Sequence, residues 1–175
     1  MEKISIKAFA TVSNLGCGFD ILGFATGIVS DEITIGMNQL NKIRITKVSG
    51  PGNIPLDPLR NTAGVALQAM LNKLGTDQGF DIEINKKVMP GSGLGSSAAS
   101  SAGVVTGANH LLGKPFNGPQ LVDFAMVGEK LISGTPHADN VAPVILGGIV
   151  LVRGYEPLDL VQLPVPDEMF CLILH

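Results

Sequence analysis

The stretch Pro90-Gly91-Ser92-Gly93-Leu94-Gly95-Ser96-Ser97-Ala98-Ala99-Ser100 sets glycine at alternate positions and follows it with hydroxyls and small side chains. Glycine reaches positive φ and leaves no Cβ between backbone and ligand. Successive N–H groups in such a loop make an anion-binding concavity. A helix starting at the serines would add its free N–H groups and positive dipole end. Ser96 and Ser97 supply hydroxyls for a phosphate or a metal. The combination predicts a phosphate cradle. It is neither a Gly-Lys-Ser/Thr loop, since no lysine follows the glycines, nor a dinucleotide fingerprint, since Gly91, Gly93 and Gly95 have the wrong spacing. The alternative is a small-residue helix entry packed tightly on a sheet.

Other polar residues stand where their type invites a role. Glu129 lies among Phe124, Ala125, Met126, Val127, Leu131 and Ile132. On the solvated helix face it would do nothing. Facing the loop, it would suit Mg²⁺, which prefers carboxylate, hydroxyl, water and phosphate oxygens. Asn14 and Asp20 flank Gly16 and Gly18 after the first apolar alternation. They read either as turn residues or as an amide and carboxylate exposed to an ammonium and a hydroxyl. The run Pro136-His137-Ala138-Asp139-Asn140 offers His137 and Asn140, with Asp139 as a base or a structural turn acid. Asn61 suits a helix N-cap, and Lys86 and Lys87 read as a solvated strand end.

The elements that must position these residues alternate. Ile4–Val12, Glu32–Gly36, Lys42–Val48 and Phe80–Ile84 read as strands, with residues 50–58 as loop. Asn61–Leu74, stopped by Gly75, Ser96–Leu112, closed by Gly113 and Pro115, and Gly118–Ile132 read as helices. Val144–Val152 and Met169–Leu174 read as further strands. The order predicts an α+β fold, a mixed sheet with helices packed on one face.

Composition narrows the function classes. The 175 residues are 45% hydrophobic and 15% charged, with a net charge of −3, which leaves no basic footprint for nucleic acid or an anionic membrane. Cys17 and Cys171 lack metal or disulfide spacing. The chain opens on a strand-like alternation rather than a signal peptide, and no apolar run reaches membrane length. A reduced, cytoplasmic location is expected.

Three ordered blocks resemble the GHMP small-molecule kinases, and within them the homoserine kinases. They are Ser13-Asn14-Leu15-Gly16-Cys17-Gly18-Phe19-Asp20, the glycine loop, and Pro136-His137-Ala138-Asp139-Asn140-Val141-Ala142-Pro143 with Gly147-Gly148. Cys17 and Ala138 replace prolines common in that family. The resemblance implies ATP-dependent phosphorylation of the side-chain hydroxyl of L-homoserine, a step of threonine biosynthesis, on a βαβ fold like that of ribosomal-protein domains. It implies ATP on Pro90–Ser100, Asn61 and Lys86, Mg²⁺ on Ser97 and Glu129, and substrate on Asn14, Asp20, His137 and Asn140. No Asp or His is expected to be an indispensable base. The resemblance also implies an N-terminal ATP-binding domain over residues 1–152 and the start of a truncated C-terminal domain over 153–175. These 175 residues alone are therefore expected to bind MgATP poorly and to lack turnover. Monomer and homodimer both stay open. Two rival readings are another GHMP kinase, acting on mevalonate or a sugar, and a non-catalytic RNA-binding module, which the acidic balance disfavours.

Overall fold

The computed structural model describes residues 3–172. Its sheet has six strands: β1 (Lys3–Leu15), β2 (Gly18–Asn38), β3 (Ile43–Ser49), β4 (Gly79–Asn85), β5 (Ile149–Tyr155) and β6 (Leu158–Leu163). Four helices cover one face: α1 (Thr62–Leu74), α2 (Ser96–Leu111), α3 (Gly118–Ser133) and α4 (Val141–Leu146). The strands run β3-β4-β2-β5-β6, with β1 on the other edge of β2. Among the described residues only the β3–β4 pair is parallel. The expected α+β class, mixed sheet and one-sided helical layer are all present.

Period-two alternation decides which side chains meet the helices. In β1, Lys3, Ser5 and Lys7 face outward while Ala8 and Ala10 are buried. Register then aligns Ile33 with Ile84, Ile35 with Ile82 and Met37 with Phe80, laying an aliphatic floor across β2 and β4. Onto that floor α2 sets its small residues. A Cβ added at Gly103 would come within 2.6 Å of Ile33 Cγ1, and one at Gly107 within 2.6 Å of Ile35 Cγ2. The run of Ser, Ala and Gly is thus a close-packing surface as well as a loop continuation, and the tight-packing reading holds along α2. Asn117 caps α3 reciprocally with Gln120.

Several expected elements differ. Strand β2 starts at Gly18, not Glu32, because Gly23 and Gly27 interrupt an alternation that the backbone nonetheless continues. Gly23 is required there, since a Cβ would fall 1.8 Å from the carbonyl oxygen of Asp139. The expected strand Val144–Val152 is divided: residues 144–146 finish α4, Gly147 ends it at φ +79°, and β5 begins at Ile149. Pro143 fits the first turn of α4, where no N–H donor is needed. Met169–Leu172 form no strand, and the last two residues of that expected strand, Ile173 and Leu174, lie outside the described residues. Strand β6 is an addition, as is the 3₁₀ turn Pro58–Arg60 at the end of the expected loop.

Candidate active site

The connection from β4 to α2 carries the glycine loop. Gly91, Gly93 and Gly95 have φ of +78°, +76° and +64°. A Cβ at Gly91 or Gly93 would meet nothing within 4 Å, so those faces are open. At Gly95 a Cβ would lie 2.0 Å from Thr11 Oγ1 and 3.1 Å from Asn140 Oδ1, so only glycine fits. Thr11 also ties the loop to β1, its N–H donating to the Leu94 carbonyl at 3.1 Å. Gly95 is the N-cap residue of α2, and no side chain caps that helix. The first N–H groups of α2 thus have neither an intrahelical nor a side-chain acceptor, an arrangement suited to an anion.

The loop borders a cavity of about 560 Å³, a size ordinary for small-molecule sites. Of the motif, Pro90, Gly91, Gly93, Gly95, Ser96, Ser97 and Ser100 line it. Ala98 and Ala99 are buried against the core, and Ser92 and Leu94 do not line the cavity. The hydroxyls divide their work. Ser96 Oγ donates to the Val88 carbonyl at 2.8 Å and braces the loop. Ser97 Oγ instead donates to Glu129 Oε2 at 2.8 Å.

Glu129 therefore faces the loop, and the solvated-face reading is set aside. Its other oxygen accepts from Ser101 Oγ at 3.4 Å. Burial pushes its pKa above the ordinary 4.5, against the pull of the two serine hydroxyls and of Lys86. A largely desolvated carboxylate touching a hydroxyl, beside unpaired helix N–H groups, completes a fitting pair of oxygen donors for Mg²⁺. Among the described residues no three His, Cys, Asp or Glu side chains converge, so this protein would offer such an ion Ser97 and Glu129. The donor set matches an ion whose remaining ligands are phosphate and water.

Asn61 caps α1, with Oδ1 accepting from the Ala63 N–H at 3.0 Å and Nδ2 donating to the Pro55 carbonyl at 2.8 Å, and it lines the cavity. Lys86 borders the cavity from beneath the loop. Its ammonium, 1% exposed, is bonded to Asp31, the Ser96 carbonyl and Ser100 Oγ. The solvated-strand-end reading of Lys86 is thereby corrected.

A second group of polar residues gathers at the β1–β2 hairpin. Asn14 and Asp20 both take positive φ, +61° and +58°, and the Asp20 N–H donates to Asn14 Oδ1 at 2.8 Å. His137 Nδ1 sits 4.0 Å from Asp20 Oδ1, while its Nε2 pairs with Thr135 Oγ1 at 2.7 Å. Asn140 bonds β1 twice: its Oδ1 accepts from Thr11 Oγ1 at 2.8 Å and its Nδ2 donates to Ser13 Oγ at 2.9 Å. Asp139 is 2% exposed and accepts from the Asn140 N–H at 3.1 Å, as a structural turn acid does. Asn14 and Asn140 line the same cavity as the loop, whereas Asp20 and His137 stand outside its lining.

Sequence reading misses Thr11, Asp31 and Tyr155. The Tyr155 hydroxyl accepts from the Ala138 N–H at 3.3 Å and donates to the Asp20 carbonyl at 3.2 Å, joining the hairpin to the His137 segment. The signal for Asp31 is an acid inside a β-branched run; nothing local marks the other two.

Comparison with known proteins agrees across the chain. A sequence profile of the GHMP kinases N terminal domain matches residues 61–148. A homoserine kinase of Chlorobium phaeobacteroides is 43% identical over all of this chain and 58% of its own length. One from Methanococcus vannielii is 42% identical over 97% of this chain and 56% of its own. This chain thus spans little more than half the length of these curated relatives. The crystal structure of homoserine kinase from Cytophaga hutchinsonii superposes with a TM-score of 0.89 at 47% identity, over 95% of this chain and 53% of that one. Mevalonate kinase of Methanococcus jannaschii, at 18% identity and a TM-score of 0.71, shares the fold.

Proposed function

This chain belongs to the GHMP kinases, and from that premise we propose that it serves an ATP-dependent homoserine kinase, moving the γ-phosphoryl group of ATP to the side-chain hydroxyl of L-homoserine. The observation that carries the reading is the contact of Ser97 Oγ with Glu129 at the uncapped start of α2, on the wall of a cavity that also reaches Asn14 and Asn140. Identity to homoserine kinases over the full chain supports the choice of acceptor.

Phosphoryl transfer passes through a loose transition state, so positioning and charge stabilisation dominate its catalysis. In this reading the N–H groups at the start of α2 hold the phosphate oxygens. Ser97 and Glu129 hold Mg²⁺, which when bound neutralises charge on the transferring group. Asn61 borders the nucleotide. Asn14, Asp20 and His137 receive the acceptor's ammonium and hydroxyl, with the hydroxyl directed at the loop. Asn140 holds the turn before α4 to β1 by its bonds to Thr11 and Ser13, and Thr11 in turn holds the loop at Leu94. The acceptor hydroxyl gives up its proton late, to an oxygen of the transferred phosphoryl group or to water, so a strong base is not required. Asp139, buried and hydrogen-bonded to its own turn, keeps the turn in shape.

The test is kcat/KM of the complete protein with ATP and a panel of homoserine, mevalonate and galactose. Homoserine should be preferred by about a hundredfold or more, as expected for a site built to pair with both charged and hydroxyl groups. Preference for either of the others would move the protein to a different branch of the family.

A further inference from the structure

Beneath the glycine loop lies an ion pair that the phosphoryl-transfer steps above do not use. Asp31, within β2, and Lys86, the residue after β4, are both buried, their side chains 0% and 1% exposed. Asp31 Oδ2 accepts from Lys86 Nζ. Its Oδ1 accepts from the Lys87 N–H at 2.7 Å and the Val88 N–H at 2.9 Å. Lys86 Nζ donates further to the Ser96 carbonyl at 2.6 Å and to Ser100 Oγ at 3.1 Å. Every N–H of the ammonium thus has an acceptor, and the carboxylate has three donors.

Such a pair is a costly way to fill a core, because desolvation opposes it and apolar residues of similar volume often do as well. Burial does lower the pKa of Lys86, with Asp31 and Glu129 acting the other way. What the charges supply is geometry. Lys87 and Val88 are the entrance to the glycine loop, and Ser96 and Ser100 are the first two turns of the helix at its exit. All four contacts meet at one point of β2, a strand hydrogen-bonded along both edges. The positive head also bonds the Ser96 carbonyl at the uncapped start of α2 and borders the cavity, where its charge adds to the positive end of the helix.

We infer that Asp31 and Lys86 are positioning residues: a buried ionic strap that fixes both ends of the glycine loop to the sheet, so that the α2 N–H groups meet a nucleotide triphosphate already in place. The inference rests on the nucleotide reading of the loop. A preformed loop loses less freedom on binding, so the strap contributes to affinity although neither residue needs to touch the ligand.

The test uses the complete protein and the double variant Asp31→Asn/Lys86→Met. The asparagine side chain keeps an oxygen for the Lys87 and Val88 N–H groups, and removing both charges leaves no unpaired ion. Three quantities are read: thermal unfolding, Kd for Mg·AMP-PNP by calorimetry, and hydrogen exchange of the amides of residues 96–99 against those of β2. The strap predicts a melting temperature within about 5 °C of wild type, Kd raised about tenfold or more, and exchange faster at 96–99 alone. KM for the acceptor should change less than about twofold, since the hairpin is untouched. Should the double variant not fold, Ser100→Ala removes one acceptor from Lys86 and should raise Kd about threefold. A folded variant with Kd and exchange as in wild type overturns the inference and leaves the nucleotide reading standing. Failure of the wild-type protein itself to bind Mg·AMP-PNP overturns both.

Discussion

Glu129 is the single residue on which the metal reading turns. Glu129→Gln keeps an oxygen to accept from Ser97 and Ser101 but removes the charge a metal needs. In the complete protein, turnover should fall by about a hundredfold or more, in the range of lost charge stabilisation, while thermal stability holds or rises. The sign follows from the raised pKa. A carboxyl that binds its proton more readily folded than unfolded takes stability away as pH climbs from the ordinary 4.5 through its raised value. A neutral amide has no such loss, so the variant should be at least as stable as wild type above that window. Affinity for MgATP should weaken as pH falls through the raised value in wild type, and titrations of both proteins would show whether the Glu129→Gln change flattens that limb. Near-normal turnover would return Glu129 to a structural role. At His137 and Asp139 the expectation is milder. His137→Ala and Asp139→Asn should each lose less than about ten thousandfold in rate, the upper range of general-base catalysis. A larger loss in either, with folding intact by circular dichroism, would make that residue the base.

At the scale of elements, the glycine loop depends on β1 as much as on its own sequence. Gly95→Ala forces a Cβ against Thr11 Oγ1 at a left-handed φ, which should cost about 1–3 kcal/mol of stability and weaken MgATP binding more than about tenfold. Denaturant unfolding and calorimetry on the same preparation would check both; unchanged affinity would mean that the loop shape is not what binds. The example also shows where sequence reading works. The α2 entry, the cap at Asn61 and the β4 alternation are local patterns, so they are visible in the chain. That Gly95 must be glycine because Thr11 stands over it is a contact between distant parts of the chain, and no local rule reveals it. The same holds for Asp31 beneath the loop and Tyr155 beside the hairpin. Sequence patterning shortens β2 because Gly23 serves close approach to the 139 turn and Gly27 sits in open space, neither breaking the strand. Val144–Leu146 patterns as strand because β-branched residues suit both states, and packing against the sheet decides for α4.

At the scale of the whole molecule, the site divides between two structural halves that the sheet holds together. In the proposed reading the nucleotide half is the loop, α2 and α3, and the acceptor half is the β1–β2 hairpin with the turn before α4, which Asn140 ties to β1. No described helix is long and apolar enough to cross a membrane. This chain spans 58% of a curated relative's length, and in the proposed reading the groups for the acceptor's carboxylate belong to the part of such relatives that it does not span. Assayed alone, these residues should turn over at less than about a tenth of the complete protein's rate, since a substrate held at one end loses its orientation. An equal rate in a coupled ADP-release assay would show that the whole active site is here. Phosphorus NMR of the complete protein with MgATP and homoserine tests the transfer itself most directly. The expected result is a new phosphomonoester signal on the homoserine hydroxyl, growing as the γ-phosphate of ATP disappears and abolished by Glu129→Gln. Release of inorganic phosphate without that ester, or an equal ester yield on mevalonate or galactose, would contradict it.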